Sequence, residues 1–140
     1  MKRVIILGST GSIGRSALDI VKAHPARFTI KVLTAGNNVA LLEKQIKSFS
    51  PKVVAVSDES AARELKRRIG KRSGLEILSG QTGIAYAAAY DGSDIVLSAI
   101  VGAAGLIPTL SAIRSGKVIG LANKEALVMA GRIVMSEARK

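Results

Sequence analysis

The sequence predicts a doubly wound α/β domain, one parallel sheet with helices on both faces. Three observations predict it. Short apolar strand patterns alternate with helix patterns from the first residues to the last, with little chain left over. The strands stop at Gly or polar turns, and each is followed by a helix rather than by a second strand. At the first strand–helix junction stands a glycine-rich turn, Gly8-Ser9-Thr10-Gly11-Ser12-Ile13-Gly14.

The first strand is read over 3–7, where Val4 to Leu7 form an apolar run. A helix follows over 12–24 with Ile13, Ala17, Leu18 and Val21 on one face and Ser12 as its cap. His24 precedes Pro25 where this helix must end, and it is read as a surface residue. The second strand, 29–35, leads through Asn37 or Asn38 as cap into a helix over 38–49. Strand 53–57 leads through Asp58 into a helix over 59–71. Strands 76–78, 95–99 and 118–121 are followed by helices over 81–90, 104–115 and 124–138. This is a Rossmann-like order of elements, and the expected strand order is 3-2-1-4-5-6. That topology gathers segments 8–14, 36–38, 100–105 and 122–125 on one sheet edge, where ligands bind.

Composition narrows the class. The 140 residues make one domain large enough for a core, and 48% are apolar. No apolar stretch reaches the roughly 20 residues of a membrane span. Met1-Lys2-Arg3 leads straight into a strand rather than into a signal-peptide pattern. Without cysteine there is no disulfide, thiolate chemistry or Cys-based metal site. A cytoplasmic protein with no membrane partner is expected. The net charge of +11 is uneven, because Arg63, Lys66, Arg67, Arg68, Lys71 and Arg72 crowd one segment. A nucleic-acid face is one reading. The other is a solvated helix whose cations sit near its C-terminus, where the helix dipole favours them. Phe28, Phe49, Tyr86 and Tyr90 are scattered, so no stacking platform accompanies the basic segment. The solvated face is preferred, and no nucleic-acid partner is expected. A basic surface would still help capture an anionic cofactor or a phosphorylated substrate.

The glycine turn carries the functional reading. A buried strand feeding a Gly-rich turn that opens a helix suits a dinucleotide pyrophosphate. Gly8 permits the tight turn, Gly11 admits backbone N–H groups to the phosphates, and Gly14 lets helix and strand pack closely. The spacing is GxxGxxG, one residue longer than the usual form, and an ordinary connection is the alternative. Dinucleotides are told apart at the end of the second strand, here Leu33-Thr34-Ala35-Gly36-Asn37-Asn38. No carboxylate stands there to accept from ribose hydroxyls or to repel a 2′-phosphate, which favours NADP over NAD. Asn37 and Asn38 also suit helix capping, and the two uses are compatible.

After the sixth strand, Asn123-Lys124-Glu125 sets three polar side chains in a row. Asn123 as cap and Glu125 in the first turn need no ligand. Lys124 does not fit that account, because a cation beside a helix N-terminus is disfavoured. A ligand anion or Glu125 would compensate it. The arrangement suggests Asn123 and Glu125 facing the nicotinamide half of the cofactor and Lys124 reaching toward substrate. A base or Schiff-base lysine is the alternative.

Together with Val101-Gly-Ala-Ala-Gly-Leu106 and the His24-Pro25 and Pro108-Thr109 pairs, these motifs resemble the N-terminal domain of 1-deoxy-D-xylulose 5-phosphate reductoisomerases over essentially all 140 residues. The resemblance implies an NADPH-dependent enzyme of the methylerythritol phosphate route to isoprenoids. Such an enzyme makes 2-C-methyl-D-erythritol 4-phosphate by skeletal rearrangement and reduction. It implies that Thr10, Gly11, Ser12 and Ile13, with Gly8, hold the pyrophosphate and adjoining ribose. Gly36, Asn37 and Asn38 would surround the 2′-phosphate, Asn123 and Glu125 the nicotinamide side, and Lys124 the phosphorylated sugar substrate. It also implies Mg²⁺ or Mn²⁺ as Lewis acid and a homodimer for the complete enzyme. The family's metal carboxylates, flap and C-terminal helical domain follow this segment. The 140 residues are therefore expected to hold no metal and to be inactive alone.

Overall fold

Every strand pattern becomes a strand within a residue or so of its expected limits. The computed structural model describes residues 1–72 and 74–140. Among them β1 (Lys2–Leu7), β2 (Phe28–Thr34), β3 (Val53–Val56), β4 (Glu76–Ser79), β5 (Ile95–Ser98) and β6 (Val118–Leu121) pair in parallel in one sheet. The helices are α1 (Ser12–Ala23), α2 (Val39–Phe49), α3 (Glu59–Ile69), α4 (Gly80–Ala88), α5 (Leu106–Arg114) and α6 (Glu125–Ala138). A single 3₁₀ turn, Ala103–Gly105, leads into α5. Within α6, Ala130 leaves helical geometry (φ −147°, ψ 35°) and kinks the helix.

The period-2 geometry of a strand divides the core into two layers. Val4 and Ile6 of β1 pack with Leu18 and Val21 of α1, Leu42 and Ile46 of α2 and Leu65 of α3. Ile5 and Leu7 face the other way and meet Val32, Val53, Val96, Ala87 and Ala88 of α4 and Ala112 of α5. Both faces are thus covered, which is why β1 reads as an unbroken apolar run. The alanines let α4 lie close against the strands, and it packs on β2, β3 and β4.

One expectation is corrected. The observed strand order is β4-β3-β2-β1-β5-β6, not 3-2-1-4-5-6. The fourth strand sits outside β3, and the fifth takes the place beside β1. A central strand must be apolar on both faces. β4 is Glu-Ile-Leu-Ser, exposed at Glu76 and only half-buried elsewhere, which suits an edge. β5 has three consecutive apolar residues and fits between β1 and β6. The chain still reverses its direction of growth at β1, so the switch point lies where it was expected.

Of the expected caps, Asn38 Oδ1 accepts from Leu41 N–H at 3.2 Å and Asp58 Oδ1 from Ala61 N–H at 2.8 Å. Ser12 is not the cap of α1. Gly11 occupies that position in extended geometry, and no side chain bonds the helix end. The basic side chains Arg63, Lys66, Arg67 and Arg68 lie exposed along α3 toward its C-terminal end, away from the ligand edge. Arg68 pairs with Glu43 at 3.3 Å. His24 is the exposed C-cap of α1. No helix among the described residues is long and apolar enough to cross a membrane.

At the opposite edge a carboxylate ties β5 to β1. Asp94 accepts from Arg3 backbone N–H at 2.8 Å, Nε at 3.1 Å and Nη2 at 2.7 Å. The side-chain and backbone bonds from Arg3 hold its carboxyl well below the usual carboxylate range. A carboxyl whose pKa is depressed on folding adds stability above its unfolded pKa of about 3.9 and loses it as pH falls through the folded value. Asp94→Asn should therefore be less stable than the parent chain at neutral pH, with the gap closing as pH drops below about 4. Urea midpoints measured across pH test this, and a gap independent of pH would count against it.

Candidate functional site

At the C-terminal edge of β1 the backbone, not a side chain, makes the site. Gly8 has φ +82°, and a Cβ there would lie 2.8 Å from the carbonyl oxygen of Ala99. A Cβ on Gly14 would lie 2.3 Å from Gly8 O and 2.7 Å from Ser9 Cα. These two glycines fit the turn tightly between β5 and the first turn of α1. Gly11 and Gly36 are different: a Cβ on Gly11 would meet only Gly8 O, at 3.6 Å, and one on Gly36 would meet nothing within 4 Å. Both leave room on the cleft side.

A cleft of about 330 Å³ opens between these turns, lined by Gly8, Thr10, Gly11, Thr34, Ala35 and Gly36 on one side. Ile84, Ala99, Ile100, Val101 and Ala104 give its apolar wall, with Ser57 and Gln81 as further polar groups. The uncapped start of α1 adjoins Gly11 at this cleft, so a helix N-terminus with free N–H groups and a positive dipole end meets it. An anion is the natural occupant of such a position. Beside it, at the end of β2, no carboxylate is present; Gly36, Asn37 and Asn38 form the turn and are exposed.

The sequence-predicted residues divide into two groups. Gly8, Thr10, Gly11 and Gly36 come together in the cleft, with Ser12 and Ile13 exposed on the first turn of α1. Asn37 and Asn38 continue the β2 turn, and Asn38 spends its Oδ1 on capping α2. Asn123, Lys124 and Glu125 are not among the residues that line this cleft. Asn123 is buried, and its amide Nδ2 donates to the carbonyl oxygens of Ile100 and, at 3.4 Å, Gly102. Its Oδ1 accepts from Glu125 N–H at 2.9 Å. The side chain thus joins the β5 loop to the start of α6. Lys124 is exposed and Glu125 half-buried at that helix start. Sequence reasoning missed Ser57 and Gln81, although both follow strand C-terminal ends and the topology rule reaches them. It also missed Thr34, whose Oγ1 accepts from Gly8 N–H at 3.0 Å.

The fold and this cleft are those of the doubly wound class of dinucleotide-binding domains, in which the turn after the first strand faces the pyrophosphate. The family model for 1-deoxy-D-xylulose 5-phosphate reductoisomerase matches residues 4–131, and the chain belongs to that family. A reductoisomerase of Prosthecochloris aestuarii is 55% identical over 140 residues, covering 100% of this chain and 36% of the relative. That of Thermodesulfovibrio yellowstonii is 50% identical over 139 residues, covering 99% and 36%. The chain thus spans about 36% of the length of the curated relatives it matches. Among solved structures, the Zymomonas mobilis enzyme in complex with NADPH superposes with a TM-score of 0.92 at 39% identity, covering 99% of this chain and 36% of that one. A reductoisomerase in complex with NADPH, fosmidomycin and magnesium gives 0.94 at 41%, covering 99% and 34%.

Proposed function

We propose that residues 1–140 are the NADPH-binding unit of a reductoisomerase acting on 1-deoxy-D-xylulose 5-phosphate. The observation that carries this is the pairing, in one cleft, of an uncapped helix N-terminus with a β2 end that has no carboxylate. The likeness to NADPH complexes supports it. Thr10, Gly11, Ser12 and Ile13 receive the pyrophosphate and its ribose on backbone N–H groups. Gly36 leaves space for the 2′-phosphate, and Asn37 can donate to it. The apolar wall of Ile84, Ile100, Val101 and Ala104 excludes water from the cleft along the bound dinucleotide. Asn123 fixes the 100–102 backbone on the nicotinamide side, with Glu125 beside it, and Lys124 reaches from the α6 start toward the anionic sugar phosphate. When bound, NADPH supplies a hydride to the aldehyde formed by rearrangement of the substrate skeleton. Among the described residues no three His, Cys, Asp or Glu side chains gather. A cytoplasmic location and a homodimer of the complete enzyme belong to the same reading.

Titration of the chain with NADPH and NADH, followed by nicotinamide fluorescence or calorimetry, tests it. NADPH should bind at least about tenfold more tightly, the difference one charge-assisted phosphate site makes. Equal affinities would sink the 2′-phosphate assignment.

A further inference from the structure

Ser9, the second residue of the glycine turn, has no surface: it is fully buried, and Gln45 of α2 is only 6% exposed. Ser9 Oγ donates to Gln45 Oε1 at 2.7 Å, and Gln45 Nε2 donates back to Ser9 O at 2.9 Å. Ser9 N–H donates to Thr34 O at 2.7 Å, and Gly8 N–H donates to Thr34 Oγ1. The turn that presents N–H groups to a pyrophosphate is therefore held by the end of β2 and by α2. Those same two elements flank the Gly36–Asn38 turn. Neither side chain lines the cleft.

We propose that Gln45 is a positioning residue for the dinucleotide: through its paired bonds to Ser9 it fixes the pyrophosphate turn against the unit that carries the 2′-phosphate turn. The inference rests on the dinucleotide reading above and adds to it a determinant outside the cleft. The pairing has a sharp chemical requirement. Ser9 presents one donor, its hydroxyl, and one acceptor, its carbonyl, to the same side chain. A primary amide answers both at once. A ligand that spans the two turns depends on their relative placement, whereas a ligand that touches only one does not.

The test uses NADP⁺, which spans both turns, and adenosine 2′-monophosphate, which reaches only the β2–α2 turn. In Gln45→Leu both bonds to Ser9 are lost, and NADP⁺ should bind about tenfold more weakly. Adenosine 2′-monophosphate should change by no more than about twofold. Thermal unfolding by circular dichroism confirms the fold at the titration temperature. Should that variant fail to fold, Gln45→Glu serves. At about pH 8 its carboxylate faces Ser9 O without a donor; protonated, at about pH 5, it donates to Ser9 O as the amide did. Its NADP⁺ affinity relative to the parent at each pH should recover as pH falls, while the ratio for adenosine 2′-monophosphate stays flat. Equal losses for the two ligands, or none, would overturn the proposal. A parent chain that binds no NADP⁺ fails the dinucleotide reading itself, a different result from binding indifferent to Gln45.

Discussion

Gly14→Ala should unfold the chain at markedly lower urea concentration, with a loss of about 3 kcal/mol, and should weaken NADPH binding by about a hundredfold. The added carbon would stand 2.3 Å from Gly8 O and 2.7 Å from Ser9 Cα. Both atoms are backbone in a turn already fixed by Thr34 and Gln45, so no rotamer change relieves the overlap. The helix must move off the turn, or the turn must open, and either displaces the N–H groups proposed to receive the pyrophosphate. Gly131→Ala is the matched control. It also lies within a helix, but nothing stands within 4 Å of the added carbon. There alanine should be neutral or stabilising by up to about 1 kcal/mol, because glycine is the poorer helix former. Parity between the two variants would show that the close approach at Gly14 does not restrict the fold.

The second large effect is expected at Asn123. Asn123→Asp keeps the acceptor for Glu125 N–H but turns a carboxylate oxygen toward the carbonyls of Ile100 and Gly102. A buried acceptor facing acceptors costs about 3 kcal/mol at neutral pH, more than the loss expected for a neutral unpaired group. The new carboxyl has its pKa raised on folding, since the protonated form alone can donate to Ile100 O. The deficit relative to the parent is therefore largest well above the folded pKa and shrinks as pH falls through it. Urea unfolding at about pH 7 and about pH 5 reads both the size and the sign of this effect. An Asp variant as stable as the parent at neutral pH would mean that the amide does not hold the loop.

Much of the fold was legible because its signals are local. The apolar run Val4–Leu7 specifies a two-sided strand, and His24-Pro25 ends the helix after it. Asn38 and Asp58 cap α2 and α3 as their chemistry suggests. The Ser12 assignment failed for a reason equally physical. Serine is a good cap by preference, but the turn needs Gly11 in the cap position, and the helix end is left without a side-chain partner. The fourth strand was found, but its neighbour was not. Glu76 and Ser79 mark it as an edge strand; which edge depends on whether its helix connection crosses to the other face.

The candidate site shows the same division. Gly8, Thr10, Gly11 and Gly36 were readable because backbone geometry and a missing carboxylate are written in contiguous residues. The glycine turn and the carboxylate-free β2 end thus came from the sequence by itself, as did the class of ligand they suit. Only tertiary structure could decide that Gln45, thirty-six positions from Ser9, is its hydrogen-bond partner. It likewise turned Asn123 inward to the 100–102 backbone rather than outward to the cleft. Local pattern encodes which conformations a segment favours; the pairing of buried polar groups depends on which distant segments the packed sheet brings within 3 Å or so of each other.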